Sequence, residues 1–186
     1  TPCGTLFPYT TLFRSVETRT FGGGGNSGPY RGAKFSLFEG GIRIPAIISW
    51  KGEIPEGQVR DQMAVNVDWL PTITDLCDIP VKTDDIAGKS LKKVIYDDAD
   101  SPHDLFHWQS GGQWAVRMNE WKLLHNPRDP AQEDWSFKND TTLLINLEED
   151  KGETNNLIKD YPEKAEKMQS LHKEWINQLE AEKSEN

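Results

Sequence analysis

The chain has 186 residues, 35% of them hydrophobic and 27% charged, with 30 acidic against 21 basic side chains and a net charge of −9. That length holds one domain and not two large ones, and the acidic balance, with no face of clustered Lys and Arg, excludes nucleic acid, whose binding depends on basic groups that displace counterions. No run of about eighteen apolar residues is present, which excludes a membrane-spanning helix, and two cysteines, Cys3 and Cys77, give no basis for a disulfide framework.

In chain order, residues 5–15 look like the translation of a sequencing adapter, so residues 1–15 are set aside as an artefact of processing. A native β-prone segment broken at Pro8 is the alternative. Residues 22–25 are four glycines and read as a flexible loop. Residues 31–45 then place Arg31, Lys34, Glu39 and Arg43 among Gly32, Gly40 and Gly41. Glycine is worth its entropy cost where φ is positive or backbones approach closely, so the Gly-Gly pair predicts a tight, ordered turn. An anionic ligand needs a local positive site in this acidic background, and Arg31, Lys34 and Arg43 form the dense candidate.

Residues 42–50, short, apolar and β-branched, predict a buried strand with Pro45 near its start. Residues 51–57 are turn-rich. Leu70, Ile73, Leu76 and Cys77 recur at helical spacing after Asp68, which predicts a helix over 66–76 capped near Asp68 with Pro71 in its first turn. Residues 78–90 read as a linker. From His103 onward the pattern alternates, and residues 105–108, 113–117, 121–124 and 143–147 predict a small antiparallel sheet. A last helix is predicted after N-cap Asp160, with Pro162 in its first turn, Glu163 at the capping-box position and a stripe of Ala165, Met168, Leu171, Trp175 and Leu179. His103 and His107 have a spacing that could bring two imidazoles to one metal on a helix, but Pro102 and the strand-like flanks argue against that helix. His125 and His172 read as surface or partly buried residues, and the seven tryptophans as core filling.

Several of these segments resemble the sulfatases of the alkaline-phosphatase-like superfamily. The resemblance rests on Arg31-Gly32-Ala33-Lys34 with Glu39-Gly40-Gly41, on Val67-Asp68 with Pro71-Thr72, and on Gly88-Lys89-Ser90-Leu91. It continues through Gln113 to Arg117, Glu120 to Leu123, and Leu147 to Leu157, where Lys151 stands in place of the family's usual proline. It spans roughly residues 16–180. The implied fold is α/β: residues 16–100 as the C-terminal end of the sulfatase catalytic domain, and residues 101–186 as a small antiparallel β-sheet subdomain with a C-terminal helix.

The implied function is that of a fragment of a sulfatase, a sulfuric ester hydrolase. The resemblance makes Lys34 the catalytic and substrate-binding residue that contacts the sulfate, where a fixed ammonium stabilises charge developing on the sulfuryl oxygens. Arg31 is a second candidate for the anion, with a structural ion pair as the alternative. Glu39 and Arg43 read as a structural pair supporting the turn. His107 and Trp108 are candidates for the border of the substrate opening, with simple packing as the alternative.

The family nucleophile is a formylglycine made from Cys or Ser in a Cys/Ser-x-Pro-x-Arg motif, beside a divalent cation, usually calcium. Neither the motif nor the metal ligands are matched here. Cys77 lacks the arginine and reads as a buried helix residue, so the isolated chain is expected to be inactive. The resemblance also implies a sulfated small molecule or sulfated carbohydrate as partner and a periplasmic or extracellular location. A non-catalytic glycan-binding or interaction α+β module is the rival reading, with a phosphodiesterase or phosphonate hydrolase of the same superfamily as a third.

Overall fold

A computed structural model describes residues 27–81, 86–130, 132 and 134–185. The adapter-like residues 1–15 with Cys3, and the glycines of 22–25, lie outside the described residues. The chain divides into two units, one of residues 45–104 and one of residues 27–44 and 105–185.

In the first unit a 3₁₀ turn, Asn66–Asp68, runs into helix α2, Trp69–Leu76, and helix α3 covers Lys92–Asp97. Asp68 is fully buried and acts as a junction rather than as the expected helix cap. Its Oδ2 accepts the Val65 N–H at 2.8 Å, and its Oδ1 accepts the Lys89 N–H at 2.9 Å and His103 Nε2 at 2.7 Å. A Cβ on Gly88 would collide with the Val67 carbonyl, so glycine is required there for Lys89 to reach Asp68.

The face that α2 buries differs from the predicted stripe. Pro71, Thr72 and Thr74 are inside while Leu70 is exposed and Cys77 is only partly buried at the C-cap. Hydrogen bonds decide this: Thr72 Oγ1 donates to the Asp68 carbonyl at 2.6 Å and accepts the Leu91 N–H at 2.9 Å, satisfying groups that burial would otherwise penalise.

The buried strand expected at 42–50 does not form. Past a single helical turn, α1 at Glu39–Ile42, residues 43–50 run without regular structure, and Ile44 and Ile47 are exposed. A strand is defined by its ladder, and among the described residues none pairs with this segment.

The second unit holds the sheet. Strands β1 Leu105–Ser110, β2 Gln113–Met118, β3 Trp121–His125 and β4 Thr142–Asn146 form an antiparallel meander in the order β1-β2-β3-β4. These match the predicted runs to within two residues. Gly111 and Asn119, the first residues of the two-residue hairpin loops, have φ of 58° and 53°, the left-handed values that tight hairpins demand.

The two-residue period of the strands then sorts the side chains. Ala115, Leu124, Leu143 and Ile145 pack with Leu37, Phe38 and Leu147 on one face; Val116, Leu123 and Leu144 pack with Ala165 and Met168 on the other. The second face is covered by α4, Pro162–Glu185, whose inner stripe begins with the predicted Ala165 and Met168 and continues with His172, which is buried.

His125 is partly buried, within the reading given for it, whereas His172 is buried, and both belong to an aromatic stack. His172 stacks on Trp114 at 4.3 Å between centroids, Trp114 stacks on His125 at 4.9 Å, and His107 stacks on Trp175 at 4.9 Å. Burial pushes the His107 pKa down to about 4, helped by the neighbouring His172. Burial also lowers His172, helped by His125. A histidine whose folded pKa lies below its unfolded value near 6.5 contributes stability that is present above pH 6.5 and is lost as pH falls through the window toward 4. The urea midpoint of the chain should therefore drop over pH 6.5 to 4 by more than that of His107→Phe, in which this term is removed. Parallel midpoints across the window would contradict the stack's role.

Candidate functional site

The loop at residues 31–43 is built from backbone close approaches. Gly32 has φ of 88°, Ser36 N–H donates to the Ala33 carbonyl at 3.0 Å, and Gly40 N–H donates to the Arg31 carbonyl at 2.5 Å. A Cβ on Gly40 would meet the Arg31 and Gly32 carbonyl oxygens, and one on Gly41 would meet those of Ser36 and Ala33. The predicted tight turn is thus a single helical turn, α1, folded back onto residues 31–36. Leu37 and Phe38 anchor it in the apolar face of the sheet.

Beneath the loop lies a fully buried lysine. Lys122 Nζ donates to Glu39 Oε1 at 2.8 Å and to Glu153 Oε1 at 2.9 Å, while Glu153 Oε2 accepts the Glu39 N–H at 2.6 Å. Lys122 and Glu153 are each 0% exposed and Glu39 is 3% exposed. Arg43 Nε lies 3.2 Å and Arg117 Nη1 3.7 Å from Glu39 Oε2, so the expected Glu39–Arg43 pair is one edge of a larger cluster.

The two carboxylates titrate apart. Burial opposes the charged form of Glu39, but Lys122, backed by Arg117 and Arg43, outweighs it and holds the pKa below the ordinary value. For Glu153 burial wins, reinforced by the charge of Glu39 and only partly offset by Lys122, and its pKa is raised. One ammonium neutralises one carboxylate fully, and the second carries the desolvation cost.

Arg31 is turned into a second buried pair. Its Nε donates to Asp129 at 2.8 Å and its Nη1 to the Glu153 carbonyl at 3.0 Å. The guanidinium lies 4.5 Å from the Phe38 ring centroid and 4.2 Å from that of Trp135. With 9% of its side chain exposed, Arg31 ties the start of the loop to the β3–β4 connection, which is the structural alternative raised for it above.

Lys34 sits between these anchors, partly buried, with its Nζ 5.0 Å from the centroid of the exposed Phe35 ring. The structure does not bring His107 and Trp108 together on one side. As neighbours on β1 they point to opposite faces: His107 stacks in the α4 layer, and Trp108 packs against the Leu37–Phe38 cluster on the same face as the Lys34 loop.

A concavity of about 520 Å³ opens beside the loop, lined by Phe35, Ser110, Gly111, Gln113, Arg128, Asp129 and Pro130. Gln113 ties its walls together, donating to the Phe35 carbonyl at 3.0 Å and accepting the Arg128 N–H at 3.0 Å.

The calcium implied by the resemblance requires about six to eight oxygen ligands. Among the described residues no group of three or more His, Cys, Asp or Glu is placed to hold a metal. Glu39, Glu153, Asp129 and Asp68 are each committed to a cation or an imidazole. The described residues do not fit calcium.

Comparison with known proteins matches residues 32–183 to the family described as N-sulphoglucosamine sulphohydrolase, C-terminal. Bovine arylsulfatase A is 31% identical over 172 residues, covering 83% of this chain and 34% of that protein. A structure from work on glycosaminoglycan metabolism by Bacteroides thetaiotaomicron superposes with a TM-score of 0.61 at 25% identity, covering 78% of this chain and 32% of that one. Another, in complex with its substrate D-glucosamine-2-N,6-O-disulfate, gives 0.54 at 25% identity over 75% of this chain and 29% of that one. The chain spans a third or less of the length of the curated relatives it matches, from 15% to 34%. The expected α/β fold, with its four-stranded antiparallel sheet and C-terminal helix, is the fold of these structural neighbours. No helix among the described residues is long and apolar enough to cross a membrane.

Proposed function

The chain belongs to the N-sulphoglucosamine sulphohydrolase C-terminal family of sulfatases, and we propose that it supplies the sulfate-contacting lysine, Lys34, to an enzyme that hydrolyses sulfate esters of carbohydrates. The observation that carries this reading is the clamp. Three buried ion pairs, Lys122 with Glu39 and with Glu153, and Arg31 with Asp129, fix the stretch from Arg31 to Glu39 at both ends and leave Lys34 at its turn, next to the exposed Phe35 that lines the concavity. A cation held in place before the anion arrives stabilises charge without reorganisation.

In this reading Arg31, Glu39 and Arg43 position the loop and Trp108 supports it from the sheet. The formylglycine nucleophile and calcium belong to the longer parent enzyme, so the chain by itself is inactive, and the parent acts in the periplasm or outside the cell. The similarity to a structure solved with D-glucosamine-2-N,6-O-disulfate supports a sulfated sugar as the substrate.

Calorimetric titration of sodium sulfate at constant ionic strength tests the lysine. Lys34→Ala should weaken sulfate binding about tenfold or more, the loss of one charge-assisted hydrogen bond, and Lys34→Arg should retain part of it. Equal affinity for Lys34→Ala and the parent chain would overturn the assignment.

A further inference from the structure

Phe35 is the residue that the sulfate-contact reading leaves unexplained. It holds a left-handed φ of 74° and leaves 63% of its surface in solvent. A bulky residue pays steric strain at positive φ, and such strain persists where the surroundings enforce it and a function requires it. Gln113 enforces it here through its bond to the Phe35 carbonyl. The exposed ring lies 5.0 Å from Lys34 Nζ and also forms a wall of the 520 Å³ concavity.

The remaining walls are polar and open. Gly111, at the tip of the β1–β2 hairpin, has nothing within 4 Å of where a Cβ would stand. Asp129 contributes a carboxylate, but its charge is matched by Arg31. Arg128 is exposed and makes no ion pair with a carboxylate among the described residues, so it presents a guanidinium to the concavity it lines. Its volume falls within the range of about 300–1,000 Å³ typical of small-molecule sites.

Resting on the reading of Lys34 above, we infer that this concavity is a saccharide subsite: a sugar ring lies against Phe35, its scissile sulfate reaches Lys34, and a second anionic substituent, a sulfate or carboxylate, meets Arg128. Ser110 and the hairpin backbone are placed to receive ring hydroxyls. Phe35 is then a specificity-determining residue for the sugar and Lys34 for the sulfate.

The strain supplies a clean test. Glycine adopts φ of 74° without penalty, so Phe35→Gly removes the ring and leaves the fold intact. Three probes are titrated into the 186-residue chain at fixed ionic strength: inorganic sulfate, D-glucosamine 6-sulfate and D-glucosamine-2-N,6-O-disulfate. The expected result is that Phe35→Gly weakens both sugars about tenfold and leaves inorganic sulfate unchanged. Arg128→Gln should weaken the disulfate more than the monosulfate, and amide resonances of Gly111 and Gln113 should shift on sugar binding. Unchanged sugar affinity in Phe35→Gly, or sugar binding that moves neither amide, overturns the subsite. Failure of the lysine reading is separate: it appears as inorganic sulfate binding that survives Lys34→Ala.

Discussion

Lys122→Met is expected to destabilise the sheet unit by about 3–5 kcal/mol, the usual consequence of removing one partner from a buried ion pair. The ammonium is the cation that reaches both Glu39 and Glu153, at 2.8 and 2.9 Å, in a site with no solvent access. Without it Glu153, whose pKa burial already raises, and Glu39 face each other with Arg117 and Arg43 only at the rim. The defect should shrink as pH falls and the carboxylates take up protons. It should shrink also in the triple variant Lys122→Met, Glu39→Gln, Glu153→Gln, which exchanges charges for neutral groups of similar volume. Urea unfolding monitored by tryptophan fluorescence measures each. A loss below about 1 kcal/mol for Lys122→Met, within the range of a surface pair, would show that the cluster does not hold the loop.

Gly41→Ala is expected to behave in the opposite sense to ordinary helix substitutions. In a helix, alanine for glycine stabilises by about 0.5–1 kcal/mol. Here the new methyl would press on the backbone oxygens of Ser36 and Ala33, which cannot swing aside as a side-chain end can. The loop must open, at a cost of about 3 kcal/mol or more once overpacking and lost hydrogen bonds combine, and sulfate binding at Lys34 should be lost with it. Gly112→Ala, where nothing lies within 4 Å, serves as the control and should stay within about 0.5 kcal/mol of the parent. A Gly41→Ala variant of unchanged stability would mean that the fold-back does not exist in solution.

Short strand-like runs between turn residues made the meander legible; β3 and β4 bury both faces, whereas β1 is only partly buried. The stripe of α4 was legible from its period of 3.6. What the chain hides is the polar interior. Lys122 stands in an otherwise apolar strand, and register places it directly opposite Arg117. Two like charges facing each other across a ladder are unfavourable, so that pairing, once the register is drawn, is the signal that carboxylates must lie between. Glu153 offers no such signal. It sits in a polar turn, at a φ of 52°, and is buried only because the turn folds over the sheet face.

The same limit explains the segment at 42–50, whose β-branched composition is equally compatible with a paired strand and with the irregular, largely exposed path it takes. The histidine stack was illegible because β1, β2, β3 and α4 each contribute to it. For the candidate site, the motif located the loop and named Lys34, Glu39 and Arg43 as neighbours. Only the three-dimensional arrangement shows that Arg31 is committed to Asp129 and that β1 sends His107 away from the loop.

The most direct measurement is side-chain ¹⁵N NMR of the lysine ammonium groups during a sodium sulfate titration, with sodium chloride at matched ionic strength as reference. The Lys34 resonance should shift saturably in a way that chloride does not reproduce, with Lys122 unmoved in its buried cluster. If sulfate and chloride shift every exposed lysine alike and Lys34 shows no saturation, the loop does not present a sulfate-binding cation.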